Sequence, residues 1–427
     1  MSSFIALANQ HLRNGHAGPA EQVLREGLAS DARVFEGWCI LADLLTRRHA
    51  YEDALEANQR ALALLPDDPR GLISRGRTLR ALNRREEAVE LFNRALARPP
   101  LPLPLQAHGF MELGRTLDEL SRPIEAWQAI TLGQQIRRRL GVAAGLNNGW
   151  LSEHLDALNE WLRVRHHTSP IPWDDPRPRP VFLVGIPRSG TTLMEQILVA
   201  AGCESTAERP ALTAALADVM EANPHRGYPG SLEQWPVDLV RAIRARFFEY
   251  AGYGDSVAVL HKLPLDLLHL GLIDRVFDGA PVVLAFRDPR DTLLSGYFQN
   301  LVLNPAMFHW TEPESLARAT RGLLQLARRY AQSLTGLNLR VQHYARLTED
   351  PSTEMRALVE HAQRPWTEHV AQFHETARHR SIATPSSHAV TEPVHRRARA
   401  RWQIYERQLA PVLPLLDGCL TFTVRST

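Results

Sequence analysis

The chain has 427 residues, 44% hydrophobic and 22% charged, enough for two or three domains with cores of their own. Its 49 basic and 47 acidic residues leave a net charge of only +2, so no global field points to nucleic acid or an anionic membrane, and any anion site must be local. Cys39, Cys203 and Cys419 lack metal-ligand spacing, no run of 18 apolar residues occurs, and MSSFIALANQHLRNG has no signal core; a cytoplasmic protein without a zinc site or membrane span is expected.

From the N-terminus, Ala20, Ala54 and Ala88 recur at 34 residues, as do Gly27, Ala61 and Ala95, and Leu28, Leu62 and Leu96 keep the same phase. Pro66 and Pro100 close the second and third units, and a fourth, with Gly114 and Ala126, is displaced by 38. The "PLPLP" run at 100–104 is read as a lengthened connection. Small residues at fixed places in a 34-residue unit let two helices cross closely, and the pattern resembles the tetratricopeptide repeat. The array is placed at 1–140. The resemblance implies either a surface that holds an acceptor protein or peptide, or a brace for the rest of the chain. Next, "NGWLSEHLDALNEWLRV" reads as a connecting helix and "SPIPWDDPRPRP" as an extended linker, together 141–177. A second domain is expected over 178–427.

"PVFLVGIPRSGTTLMEQILVAAG" opens that domain as strand, loop and helix. A glycine-bearing turn there aims backbone N–H groups and the positive helix end at one spot, the geometry that binds phosphate. Gly185 and Gly190 have the spacing of a nucleotidase P-loop, but Thr191 stands where that motif needs lysine, which disfavours a kinase-like ATP or GTP enzyme. About a hundred residues on, "APVVLAFRDPRDTLLSGYFQN" repeats strand then helix, with Asp288 as N-cap and Pro289 at the first helical position. Arg287 and Ser295 are placed to reach one anion. Between the two motifs, "VAVLHKLPLD" holds Lys262, the only lysine in the chain, at the carboxyl end of a strand, where ligands bind in parallel sheets. Lysine is a compact point charge, unlike the planar fork of arginine.

These motifs resemble the sulfotransferases, whose "PRSGTT" loop grips the 5′-phosphosulfate of 3′-phosphoadenosine 5′-phosphosulfate (PAPS). The resemblance covers about 178–405 and is strongest to the tyrosylprotein sulfotransferases, whose animal members are membrane-anchored and lack the array. It implies an α/β P-loop-like domain with a parallel sheet and transfer of a sulfuryl group from PAPS to an acceptor hydroxyl, protein tyrosine among the candidates. Arg188, Ser189, Gly190, Thr191 and Thr192 would bind the 5′-phosphate, with Arg188 near the transferring group. Arg287 and Ser295 would bind the 3′-phosphate, and Tyr344, after a strand in "LRVQHYARLTEDPSTEMRAL", is a weaker nucleotide contact. Glu208 and Lys262 match the family's catalytic glutamate and lysine, and His261 is the competing base, as in phenol and steroid sulfotransferases. No metal is required.

Two departures remove positive charge near the expected 3′-phosphate: Gln299 replaces an arginine and Glu392 a lysine of the animal enzymes. "TPSSHAVTEPVHRRARARW" resembles the family's lid, with Arg396 to Arg401 adding positive potential. A tetratricopeptide-repeat interaction protein with an inactive, nucleotide-sensing domain is the alternative.

Overall fold

The computed structural model describes residues 3–13, 16–97, 100–165, 171–334, 336–378 and 390–422. They form two compact units, Met1–Leu146 with Tyr297–Asn304, and Asn147–Gly296 with Pro305–Thr427.

The first unit contains eight helices among its described residues: α1 (Ser3–Arg13), α2 (Ala17–Ser30), α3 (Phe35–Arg47), α4 (Tyr51–Leu64), α5 (Pro69–Ala81), α6 (Arg85–Leu96), α7 (Leu103–Glu119) and α8 (Pro123–Ala143). They pack as successive helix pairs, α1 with α2, α3 with α4, α5 with α6 and α7 with α8, the arrangement that the 34-residue period predicts. Ala20, Ala54, Ala88 and Ala126 are fully buried where paired helices touch. A methyl group on Gly76 would lie 2.6 Å from the Phe92 ring, and one on Gly114 2.6 Å from Ile130, so the period of small residues is a requirement of helix crossing. The offset of 38 has a different cause from the lengthened connection expected. Helix α7 starts 34 residues after α5 but has 17 residues against 13, so one extra turn has been added within the helix. Pro102 is its N-cap and Pro104 lies in its first turn, where no N–H is needed.

Residues Tyr297–Asn304, which follow the second motif in the chain, also belong to this unit. Gln134 donates to the carbonyls of Tyr297 (2.5 Å) and Gln299 (3.3 Å), while Arg137 donates to those of Gln299 (3.2 Å) and Leu301. Burial pushes the Arg137 guanidinium down to about 10, and the carbonyls satisfy its N–H groups.

The second unit is built on a five-stranded parallel sheet of β1 (Val181–Gly185), β2 (Glu204–Ser205), β3 (Val259–Lys262), β4 (Val282–Phe286) and β5 (Leu339–His343), in the order β2-β3-β1-β4-β5. Strands β1, β3 and β4 are buried along their whole length, and the unbroken apolar runs of β1 and β4 suit a sheet covered on both faces, whereas β3 ends in His261 and Lys262. On one face Val181, Leu183 and Leu260 pack with the helix after β1, α10 (Thr191–Ala200). On the other, Phe182 meets Phe247 and Phe277 at ring distances of 5.7 and 4.9 Å.

Two segments expected as connectors are integral to this unit. The helix Gly149–Val164 packs on helix Pro313–Ser333, where Leu155 fills the space that a side chain at Gly322 would need and Trp161 lies 6.3 Å from Tyr330. The described part of the proline-rich stretch has no regular secondary structure and is pinned by buried Arg244, which donates to the carbonyls of Ile171 (3.0 Å) and Pro172 (3.1 Å) and to Asp174 (2.8 Å). Among the described residues no helix is long and apolar enough to cross a membrane.

Candidate active site

After β1 the chain turns to one side of the sheet and after β4 to the other. The strand order therefore reverses between these neighbours, and their carboxyl ends mark the place where open parallel sheets bind ligands. The loop after β1 is built for close approach. Gly185 adopts φ +154, and a side chain there would meet the Ala285 carbonyl at 2.7 Å; Gly190 adopts φ +100 against the Tyr344 ring. Arg188, with φ +79, is held in a left-handed conformation that costs a residue with a side chain about 1–3 kcal/mol. Ser189, Thr191 and Thr192 are buried, and Gly190 caps α10.

The second motif closes on the first. From the helix Pro289–Tyr297, Ser295 Oγ accepts from Arg188 Nε at 3.2 Å. Arg287 leaves Asp288 to Arg290, which grips it at 3.0 and 2.6 Å. Its own fork donates to the carbonyls of Arg188 (3.2 Å) and Ala398 (2.5 Å), with Asp291 Oδ2 4.0 Å away. Burial pushes this guanidinium down from its ordinary value, and Asp291 opposes the shift. Arg287 is thus a strut between the first loop and the C-terminal segment. Asp291 holds that segment as well, accepting from the amides of Ala400 (2.8 Å) and Trp402 (3.0 Å). Tyr344 is a packed residue: its ring lies beneath Gly190 and 5.3 Å from the Arg287 guanidinium, and burial raises its phenol.

At the end of β3, Lys262 is fully buried, and its Nζ donates to Glu208 Oε1 at 2.5 Å and lies 3.3 Å from Glu195 Oε2. Glu208 is 43% exposed and follows Ala207 in a left-handed pair, φ +66 and +50. His261 is on the opposite face of the strand, between Phe182 and Phe247, with Nε2 2.7 Å from Asp266. Glu208 therefore reaches solvent beside Lys262, whereas His261 is in the aromatic core.

Gln299 is in the Tyr297–Asn304 segment of the first unit, and Glu392 pairs with Arg397. Part of the expected lid, 384–389, lies outside the described residues. Sequence reasoning missed Glu195 and Asp291. The signal for Glu195 was visible: it is the one charged residue in the helix TTLMEQILVA.

Two atoms bear on whether an anionic nucleotide fits. Ser189 Oγ and Arg287 Nε are buried without a hydrogen-bond partner among the described residues, one in each motif. A phosphate oxygen would satisfy either. No group of three or more metal-ligating side chains is placed to hold a metal among the described residues.

Residues 180–368 match the model of the sulfotransferase family. The matched residues include all five strands and both motifs. A protein of Aquifex aeolicus (strain VF5) is 24% identical over 352 residues, 78% of this chain and 44% of the other, so the chain spans less than half the length of that relative. Among solved structures, the sulfotransferase domain of the Synechococcus PCC 7002 olefin synthase aligns at 17% identity over 55% of this chain and 91% of its own, with a TM-score of 0.34. The sulfotransferase STF9 of Mycobacterium avium aligns at 14% over 80% and 97%, TM-score 0.33. MamA aligns at 14% over 39% and 96%, TM-score 0.27.

Proposed function

We propose that this protein is a PAPS-dependent sulfotransferase acting on an acceptor hydroxyl, with protein tyrosine as the first acceptor class to test. What carries the reading is the pairing of a buried lysine with a solvent-reaching glutamate on the strand next to the phosphate loop. Ser189, Gly190, Thr191 and Thr192 would cradle the 5′-phosphate, and Arg287 and Ser295 would hold the 3′-phosphate. Glu208 takes the proton of the acceptor hydroxyl as its oxygen attacks sulfur in line. The new O–S bond forms as the bond from sulfur to the 5′-phosphate oxygen breaks, and that oxygen keeps the electron pair. Lys262 and Arg188 stabilise the charge that grows there. A carboxylate base suits a phenol, whose ordinary pKa is about 10, better than a less acidic alkyl hydroxyl.

The array is the surface proposed for a protein acceptor. Gln134 and Arg137 already hold the chain's own backbone, so the part of the array that they occupy is not available to a partner.

The test is thermal stabilisation of the purified protein by adenosine 3′,5′-bisphosphate beside ADP and ATP. Selective stabilisation by the 3′,5′-bisphosphate, lost in Arg287→Ala, is the expected result. Equal response to all three nucleotides would sink PAPS as the donor and leave the interaction-protein reading.

A further inference from the structure

We propose that Glu195 is the permanent counterion of Lys262 and the positioning residue for Glu208, which frees Glu208 to exchange its lysine contact for the acceptor hydroxyl. The inference rests on the sulfuryl-transfer reading for its chemistry, but the geometry beneath it stands apart from that reading.

Helix α10 is apolar apart from its first turn, Glu195 and Gln196, and the Glu195 side chain is only 6% exposed. A lone carboxylate in such a place is costly, and both of its oxygens are engaged. Oε2 lies 3.3 Å from Lys262 Nζ, and Oε1 accepts from Ser205 Oγ. Ser205 Oγ in turn accepts from the Ala207 amide at 3.1 Å. The carboxylate thus reaches both the lysine and, through one hydroxyl, the left-handed turn that presents Glu208.

The two carboxylates on Lys262 are unlike. Glu195 is fixed inside the helix face, while Glu208 is 43% exposed at the end of a loop. With Glu208 as sole counterion, protonation by the acceptor would leave a fully buried ammonium unpaired at the step that needs its charge on the leaving oxygen. Glu195 removes that difficulty. Of the charged groups nearby, His261 is engaged with Asp266, Arg188 with Ser295, and Arg209 with the Thr206 carbonyl and the Tyr253 ring, while Glu204 on β2 is exposed.

The first experiment is a thermal-unfolding cycle on the full chain without ligand. Glu195→Gln lowers Tm in the wild-type background, because the lysine loses a counterion, and raises it in Lys262→Met, where the same carboxylate has no cation. An equal drop in both backgrounds overturns the pairing. The chain has one lysine, so protein carrying lysine labelled with carbon-13 at Cε gives one lysine side-chain signal even where a variant's unfolding is poorly behaved. Glu195→Gln shifts that signal, and Glu204→Gln, at an exposed neighbouring position, leaves it in place. A signal unmoved by Glu195→Gln refutes the proposal.

With turnover in hand, Glu195→Gln lowers kcat about tenfold to a hundredfold while KM for PAPS holds, and Glu195→Asp restores part of the loss. A change confined to KM overturns the positioning role. The unfolding and resonance readings need neither donor nor acceptor, so their failure sinks the role of Glu195, whereas failure of the wild type to transfer sulfuryl sinks the activity alone.

Discussion

The repeat array and the sheet edge both bury charge, and they complete it differently. In the array, Arg80 and Arg115 reach Glu112 at 2.6 and 3.4 Å, and Asp43 takes Arg77 at 2.7 Å and the Ser74 hydroxyl at 3.0 Å. Burial pushes the Glu112 carboxyl up, but Arg80, Arg115 and Arg77 overcome it and hold the group well below the usual carboxylate range. Each of these carboxylates has its cations supplied by the repeats. At the sheet edge, Lys262 shares one charge between two carboxylates, and Ser189 Oγ and Arg287 Nε have no partner among the described residues. Charge completed within the fold holds an architecture together; charge left incomplete is what a ligand can complete.

The largest effect that would sharpen this contrast is on turnover. Glu208→Gln should lower kcat about a thousandfold, as expected for loss of a general base, while stability changes by less than about 1 kcal/mol because Lys262 keeps Glu195. Steady-state kinetics beside urea unfolding reads both, and retained turnover would remove Glu208 as the base.

Glu112→Gln should do the reverse. It removes the buried carboxylate from the part-buried Arg80 and Arg115 and costs about 3 kcal/mol in urea unfolding, with kcat unchanged. Because the folded carboxyl is depressed, its contribution is complete above the ordinary value of 4.5 and is lost as pH falls below it. The wild type should therefore lose its advantage over Glu112→Gln on acidification, and a gap that is constant with pH would break the contrast.

The smallest effect compares two crowded glycines. Gly190→Ala forces φ +100 on a side chain 2.6 Å from Tyr344 and should cost about 1–3 kcal/mol together with the nucleotide response. In Gly76→Ala the fully buried Phe92 ring must shift, but a gain of about 1 kcal/mol in helix propensity offsets part of that cost, so the loss should be the smaller of the two. Equal costs would show that crowding rather than backbone conformation governs the loop.

Much of this organisation is local and therefore legible. The 34-residue period reflects helix crossings between neighbours in the chain, and the two strand-loop-helix motifs declare themselves through glycine, proline and an Asp288 N-cap that accepts from the Arg290 amide at 2.9 Å. The extra turn of α7 was misread as loop because proline signals an interruption but is equally at home in a first helical turn. Helix Gly149–Val164 was misread as a connector because an amphipathic stripe shows that a face is buried and not what buries it.

The sequence by itself determined the repeat, the glycine-bearing loop after β1, the second motif and the singular lysine, since each depends on residues a few positions apart. Tertiary structure decided the partners. Sheet order puts the ends of β1 and β4 side by side, and with them Arg188 on Ser295 and Arg287 on the Arg188 carbonyl. The pleat sends Lys262 toward Glu195 and its neighbour His261 toward Phe247, while Asp291 catches backbone more than a hundred residues downstream. Ion pairs and hydrogen bonds act over a few ångströms of space, and only the folded chain sets which distant residues come within that reach.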